Sequence, residues 1–436
     1  MQKLIVHRLG PIEHCELDIK DFMVFTGSQA SGKSTIAKSV FFFKNVKNVF
    51  YTLLKKRYLL KDTEVMTELS FSDHLLQELR SVFIQIFGSP WNLDESMFVQ
   101  YYYGVDKLVS VSLANKGTNT EIFIYFSISV SEFVKSVDFS FHEQKAVLTD
   151  DLTQAQRELD TFFEDDAEPI YIPAGRSMIT LLGAQLNYIY SSMDDMQRKN
   201  LDYCTQNYLE RVMQIKSAFH QGLPQLVAYA LSFAGRKCDP KTLLDAAELM
   251  NQILQGQYRN IDGDERLLVS QDRYVKINLA SSGQQEALWI LNVIIYSLLN
   301  DKKSSFIIEE PESHLFPNAQ KLMTEFISLA SRGGHNQVLV TTHSPYILGA
   351  LNNLLYANKI SKSVDEKQLA EVIPQNRWLD FQNLGAYYIH NGELRACVDT
   401  ESEAIENEVI DSASADINMD YDKMVLLKEK YTYGKG

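Results

Sequence analysis

Gly27-Ser28-Gln29-Ala30-Ser31-Gly32-Lys33-Ser34, followed by Thr35, spells G-x-x-x-x-G-K-[ST]. An apolar run, Phe22-Met23-Val24-Phe25, enters it and a helical-looking one, Ile36-Ala37-Lys38-Ser39-Val40, leaves it. A buried strand, a glycine-rich turn and a helix in that order constrain the chain more than any other stretch, because they demand a layered α/β core. Glycines let consecutive backbone N–H groups turn towards an anion, and the helix adds its positive end. Lys33 supplies a full charge to the β and γ phosphates of a nucleotide, and Ser34 a hydroxyl to the accompanying magnesium. The plain alternative is a glycine turn with an incidental lysine.

The chain has 436 residues, 45% of them hydrophobic, enough for one large α/β domain with insertions or for two domains. No run approaches eighteen apolar residues and the N-terminus lacks a signal-peptide pattern, so the expectation is a cytoplasmic protein with no membrane partner. Cys15, Cys204, Cys238 and Cys397 are far apart, which argues against a zinc site or disulfide framework. A net charge of −14 tells against a broad nucleic-acid-binding surface. The densest basic spots, Lys55-Lys56-Arg57 with Lys61 and Lys428 to Lys435, read more simply as solvated helix faces.

Along the chain, residues 3–9 and 15–19 alternate as half-buried strands around Gly10-Pro11. The helix after Lys33 is predicted to run towards Leu60, and a second over His74 to Phe87. From Phe98 to Leu148 period two dominates, predicting a small antiparallel sheet that includes Leu108 to Ser112, Ile122 to Phe126 and Val137 to Phe141. Thr153 to Phe163 reads as helix, and Pro169 to Ile172 as a strand delivering Pro173-Ala174-Gly175-Arg176. Residues 178 to about 256 predict packed helices without sustained heptads, which excludes a long coiled-coil arm. A hairpin, 266–269 with 274–277, precedes helix 283–299, strand 304–309, helix 318–331, strand 337–342 and helix 345–355. A further hairpin turns at Asn391-Gly392, followed by acidic, helical-looking sequence. The expected organisation is a core split into 1–60 and 263–355, a helical plus β lobe over 61–175, a helical insertion over 176–262, and a tail over 356–436 that offers a partner-binding region.

Three more motifs carry chemistry. Ser305 to Glu312 is a buried strand ending in paired carboxylates; in a nucleotide site Glu309 would hold magnesium and Glu310 polarise the attacking water. A strand that merely stops at an acidic turn is the alternative. His343, in Val340-Thr341-Thr342-His343-Ser344-Pro345, stands where an imidazole could reach the γ phosphate, although a lone His is more often structural. Ala280-Ser281-Ser282-Gly283-Gln284-Gln285 opens an apolar helix with an anion-binding terminus that has no obvious ligand in its own chain, leaving it free to face another protomer.

These motifs, in this order, resemble the ABC-type ATPases, strongly over the first 45 residues and over about 265–350. Gly27 to Ser34 resembles Walker A, Ala280 to Gln284 the signature loop, Ile307 to Glu310 Walker B, and His343 the switch histidine. Leu9-Gly10-Pro11-Ile12, Glu309-Glu310-Pro311-Glu312-Ser313-His314-Leu315-Phe316-Pro317 and Thr342-His343-Ser344-Pro345 look most like the OLD-like branch of AAA/ABC ATPases. The resemblance implies a P-loop ATPase head, a mixed sheet flanked by helices with helical and small β insertions. It implies Mg-ATP as cofactor, and a homodimer or higher oligomer in which Ser281, Ser282, Gly283 and Gln284 of one copy close over ATP held by Lys33 of another. Glu309 stands where most relatives have Asp, Ser282 replaces the first signature glycine, and no Q-loop is placed. Arg176 lies in a segment resembling the family's Pro-Ala-Gly-Arg, where it senses phosphate or forms a structural ion pair.

OLD nucleases carry a metal-dependent TOPRIM domain after the ATPase. The stretch after residue 355 is short, and Asp411, Asp416, Asp420 and Asp422 lack the strand context of such a metal site. The reading is therefore an ATPase subunit with a separate effector, by analogy with the Septu and PARIS anti-phage systems and their HNH or TOPRIM nucleases. The competing readings are a DNA-repair ATPase head that itself engages DNA, weakened by the −14 charge, and a transporter ATPase, which would be more compact.

Overall fold

The computed structural model describes residues 2–59, 69–89, 93–116, 119–142, 149–181, 192, 202–233, 238–261, 263–270, 272–331, 336–406, 419 and 422–424. The strands are β1 (Lys3–Leu9), β2 (Ile12–Asp18), β3 (Phe22–Gly27), β4 (Phe98–Gly104), β5 (Lys107–Lys116), β6 (Asn119–Phe126), β7 (Glu168–Ile172), β8 (Gln257–Ile261), β9 (Asp264–Leu268) and β10 (Tyr274–Lys276). They continue with β11 (Ser304–Glu309), β12 (Gln337–Thr341), β13 (Leu384–His390), β14 (Glu393–Ala396), β15 (Val398–Asp399) and β16 (Ala404–Ile405).

Eleven of these form one sheet, ordered β6-β5-β4-β1-β2-β14-β13-β3-β12-β11-β7. One half, β13-β3-β12-β11-β7, is parallel; the other, from β2 out to β6, is antiparallel. Residue chemistry explains the split. The parallel strands are continuous apolar runs because helices cover both faces. Val24, Ile172, Phe306, Ile308 and Val340 enter one core, while Met23, Phe25, Tyr171, Ile307 and Leu339, their neighbours in sequence, enter the other. In β1 and β2 burial alternates instead, with Leu4, Val6, Cys15 and Leu17 buried between more exposed residues.

Helix Lys33–Leu54 lies in the second core and buries Phe41, Phe42, Phe43 and Phe50 completely or nearly so. At about 1.5–3 kcal/mol for each large apolar side chain removed from water, this one face is a major source of stability. Helix Ser282–Leu299 belongs to the first core and is apolar nearly all round, with Trp289 buried against Tyr258. Such a helix must be interior. No helix among the described residues is long and apolar enough to cross a membrane.

The structure departs from the sequence expectations in three places. Val137 to Phe141 belongs to helix Ile128–His142: Val130, Val134, Val137 and Phe141 are buried at helical spacing, and Asp138 to Phe141 alternates only locally. The strands β4 to β6 are no separate lobe but extend the main sheet through β1, and β7 closes its other edge. The hairpin at Asn391-Gly392 is not peripheral either. β13 pairs with β3 from Leu384 opposite Phe22 to Ile389 opposite Gly27, in the middle of the sheet. The expectation for the acidic tail falls almost wholly outside the described residues, as do Asp411, Asp416 and Asp420.

Candidate functional site

Parallel strands deliver their C-terminal ends to one edge of a sheet, which is where ligands bind in open α/β folds. Here that edge gathers the phosphate loop at the end of β3, Glu309 closing β11 with Glu310 after it, Thr342 and His343 after β12, and Pro173 to Arg176 after β7.

The loop is shaped by its neighbours. A side chain at Gly27 would strike the Ile389 carbonyl of β13, and one at Gly32, where φ is +106°, would strike Ile12. The C-terminal strand therefore walls one side of the loop, which sequence reasoning missed. Helix Lys33–Leu54 starts with no side-chain cap on its first turn. Its N–H groups remain available to an anion. Ser28, Gln29, Ala30 and Ser34 are exposed and Thr35 half-buried. Lys33 is only 5% exposed. Its Nζ folds back onto the carbonyls of Gly27 at 3.0 Å and Ser28 at 2.8 Å, with Ser31 Oγ at 3.4 Å. Burial lowers its pKa, against the opposing pull of the Glu310 and Glu312 carboxylates.

Glu309 is buried. Its Oε2 accepts from the Ala174 N–H at 3.1 Å, whereas Oε1 is buried without a hydrogen-bond partner; Tyr171 faces this carboxylate without meeting hydrogen-bond geometry. An orphaned anionic oxygen in such a place is the donor a hard divalent cation takes. That oxygen fits a magnesium ion, which Glu309 would hold. Among the described residues no group of three or more His, Cys, Asp or Glu side chains is placed to hold a metal.

Glu310 adopts φ +42°, a left-handed backbone that costs a non-glycine residue on the order of 1–3 kcal/mol. Several bonds enforce it. Its N–H donates to Thr341 O at 2.9 Å, and its carbonyl accepts from Arg176 Nη2 at 3.0 Å and from the Ser313 N–H at 3.1 Å. The carboxylate lies 3.4 Å from His343 Nε2 through one oxygen and 3.4 Å from Ser313 Oγ through the other. Glu312 holds the histidine segment, accepting from Thr342 Oγ1 at 2.8 Å and from the His343 N–H at 2.7 Å. Burial raises the Glu312 pKa, and these donors oppose the shift. Sequence reasoning gave Glu312 no role of its own; a third acid two residues beyond a carboxylate pair was the available signal.

The Ser281 turn lies apart from the phosphate loop's own contacts. Ser281 caps helix Ser282–Leu299 in a capping box with Gln284, and Ser281 and Ser282 are exposed. Gly283 is buried; a Cβ there would lie 2.6 Å from the His314 carbonyl, so the glycine is required by packing within the chain. Arg176 is fully buried, 0% exposed. Its guanidinium donates to the carbonyls of Pro173 at 2.5 Å, Glu309 at 2.6 Å, Glu310 at 3.0 Å and Glu286 at 3.2 Å. Glu286, which sequence reasoning overlooked, is a lone acid in an apolar helix and is 2% exposed.

An α/β sheet with a glycine-rich loop, an uncapped helix start and paired acids at one edge defines a nucleotide-binding protein of the phosphate-loop class. Residues 129–348 match the AAA ATPase domain family, half of the chain, and the chain belongs to that family. It is an ATP hydrolase. The matched stretch includes Arg176, Ser281 to Gln284, Glu309, Glu310 and His343 and begins beyond the phosphate loop. Among curated proteins none matches the sequence. Similar solved structures include an SMC head bound to the C-terminal winged-helix domain of ScpA, 12% identical, covering 90% of this chain and 96% of that one at a TM-score of 0.40. Another is the Pyrococcus furiosus SMC head with an extended coiled coil and the C-terminal domain of ScpA, 12% identical over 96% of this chain and 100% of that one, at 0.39. The Thermotoga maritima SMC head domain is 12% identical over 90% and 97%, at 0.34. At these scores the likeness bears on no individual residue.

Proposed function

We propose that the chain is an ABC-type ATPase whose copies associate by sandwiching Mg-ATP. Its nucleotide state controls a separate effector, a nuclease, in cytoplasmic anti-phage defence of the OLD-like, Septu or PARIS kind. The observation that carries the ATPase mechanism is Glu310, held in a left-handed backbone between His343 and Ser313 beside an unpartnered Glu309 oxygen.

In this reading the N–H groups of Gly27 to Thr35 surround the triphosphate, and Lys33 leaves its own loop carbonyls for the β and γ phosphates. The ligand gives that buried ammonium the anionic partner it lacks. Ser34 and Glu309 would hold magnesium, which neutralises charge developing on the phosphates. Glu310 accepts the proton of the attacking water, and His343 orients the water and the γ phosphate. Arg176, with its donors bonded to carbonyls, acts on this geometry rather than on phosphate. Ser281, Ser282, Gly283 and Gln284 close over the nucleotide of a second copy. Support for self-association comes from exposed apolar side chains on segments adjoining that turn: Leu279, Met178 and Phe316 are 63–75% exposed. An apolar group rimming a polar turn is what an interface presents. Support for the effector and for defence is the motif resemblance alone.

Glu310→Gln tests the mechanism. Turnover of Mg-ATP is expected to fall about 10²–10⁴-fold, the usual contribution of a general base, with nucleotide binding retained. Unchanged turnover contradicts it.

A further inference from the structure

Between the Ser281 turn and the Glu310 backbone runs a path of buried and half-buried hydrogen bonds within one chain. The Gln285 amide donates to the carbonyls of Ile277 at 3.1 Å and Ala280 at 3.2 Å, fixing the segment that leads into the turn. One residue on, the Glu286 carboxylate accepts the N–H groups of Arg176 at 3.0 Å and Ser177 at 2.9 Å, while Thr180 Oγ1 donates to the Gln285 carbonyl at 2.9 Å. The Arg176 guanidinium then spans from the Glu286 carbonyl to the carbonyls of Glu309 and Glu310. A second approach closes the circuit at Gly283, where a Cβ would stand 2.6 Å from the His314 carbonyl, at the far end of the turn that begins with Glu310.

We propose that Arg176 is a positioning residue: with Glu286 it forms a strut that ties the Ser281–Gly283 turn to Glu310. Closure of that turn over a nucleotide in the partner copy thereby sets the general base of its own copy. The proposal rests on the sandwich reading above. Its physical basis is rigidity at one end and strain at the other. A planar guanidinium, itself buried and with each of its nitrogens committed to a backbone carbonyl, transmits a displacement rather than absorbing it. The Glu309–Glu310 peptide it grips is held in a backbone conformation stable only while its bonds hold, so a small shift of the strut changes where the carboxylate points. Because the Arg176 guanidinium donates to four backbone carbonyls, its effect falls on chemistry and on communication between sites, not on affinity.

The experiment compares steady-state Mg-ATP turnover, the Hill coefficient for ATP, nucleotide binding and the melting temperature in wild type, Arg176→Lys and Glu286→Gln. Lysine cannot bridge both flanks. Glutamine keeps the size of Glu286 but sets an amide N–H against one of its two donors, and it decides the matter if Arg176→Lys does not fold. The strut predicts kcat lowered about 10²-fold, the scale of an ångström of misplacement, with KM and binding within about threefold of wild type. It also predicts a Hill coefficient reduced to 1 from a wild-type value above it. Lower melting temperatures with kcat and Hill coefficient intact overturn it. Failure of the underlying reading looks different: wild-type turnover then survives Glu310→Gln or Ser281→Ala, whatever the strut variants do.

Discussion

Helix Lys33–Leu54 buries three lysines and treats them in two ways. Lys44 and Lys47, in its middle, have their partners built in. Lys44 Nζ lies 2.8 Å from Asp165 Oδ2 and 3.3 Å from Gln2 Oε1, and Lys47 Nζ lies 2.9 Å from Asp160 Oδ1. Lys33, at the phosphate-loop end, meets only hydroxyl and carbonyl oxygens, and among the described residues no carboxylate comes within ion-pair distance of it. A buried charge needs a counter-charge. The middle of the helix has been given one by folding; the end waits for a ligand. The same contrast separates Asp165, satisfied by Lys44 and the Ala167 N–H, from Glu309, whose Oε1 is left over. In this pair of contrasts the completed groups hold the fold, while Lys33 and Glu309 Oε1 are left for a ligand.

Substitutions sharpen this contrast. The largest effect is expected from Lys44→Met, which removes the nearer of the two lysines that face buried Asp165, leaving Lys47 Nζ at 4.0 Å from its other oxygen, and should lower unfolding free energy by up to about 3–5 kcal/mol. Denaturant titration checks it, and the double variant with Asp165→Asn should recover much of the loss. Lys33→Met should do the opposite. Nucleotide affinity falls about 10–100-fold, from about 1.5–3 kcal/mol in charge-assisted hydrogen bonds, while the nucleotide-free protein is at least as stable as wild type. A Lys33→Met protein as destabilised as Lys44→Met breaks the comparison.

Smaller is Ser281→Ala, which removes a helix cap and should cost about 1 kcal/mol of stability. Turnover loss far beyond that modest change would separate the turn's action on nucleotide from its capping. Smallest is a pH effect. Burial places the folded-state pKa of Lys33 below its unfolded value of 10.5. The unfolded chain then binds more protons between the two, so this contribution is present above 10.5 and lost as pH falls through the folded pKa. In melting curves without nucleotide, wild type should therefore gain on Lys33→Met as pH rises towards 10.5. A constant difference would deny the depressed pKa.

Much of this was legible in the chain. The phosphate loop, Glu309-Glu310 and His343 stand at strand ends that apolar runs announce, and the alternation of strands and helices from Ser304 to Ile360 is read directly. What could not be read is long-range. That β13, more than 350 residues after β3, lies beside it and walls the loop is a pairing that local pattern does not encode. Arg176 bonds to Glu286 and Glu310 across 110 and 134 residues, so its partners were invisible although the residue itself was conspicuous. Val137 to Phe141 misled because alternation over five residues fits a strand while the longer run fits a helix.

The most direct test is sedimentation velocity of Glu310→Gln, which binds Mg-ATP without consuming it, beside the same protein carrying Ser282→Trp. Ser282 is exposed, so tryptophan there obstructs a partner without disturbing the chain's own packing. The account predicts that Mg-ATP drives Glu310→Gln into a larger assembly and leaves the Ser282→Trp protein as it was. Association that ignores the nucleotide, or that proceeds equally with tryptophan in the turn, contradicts it.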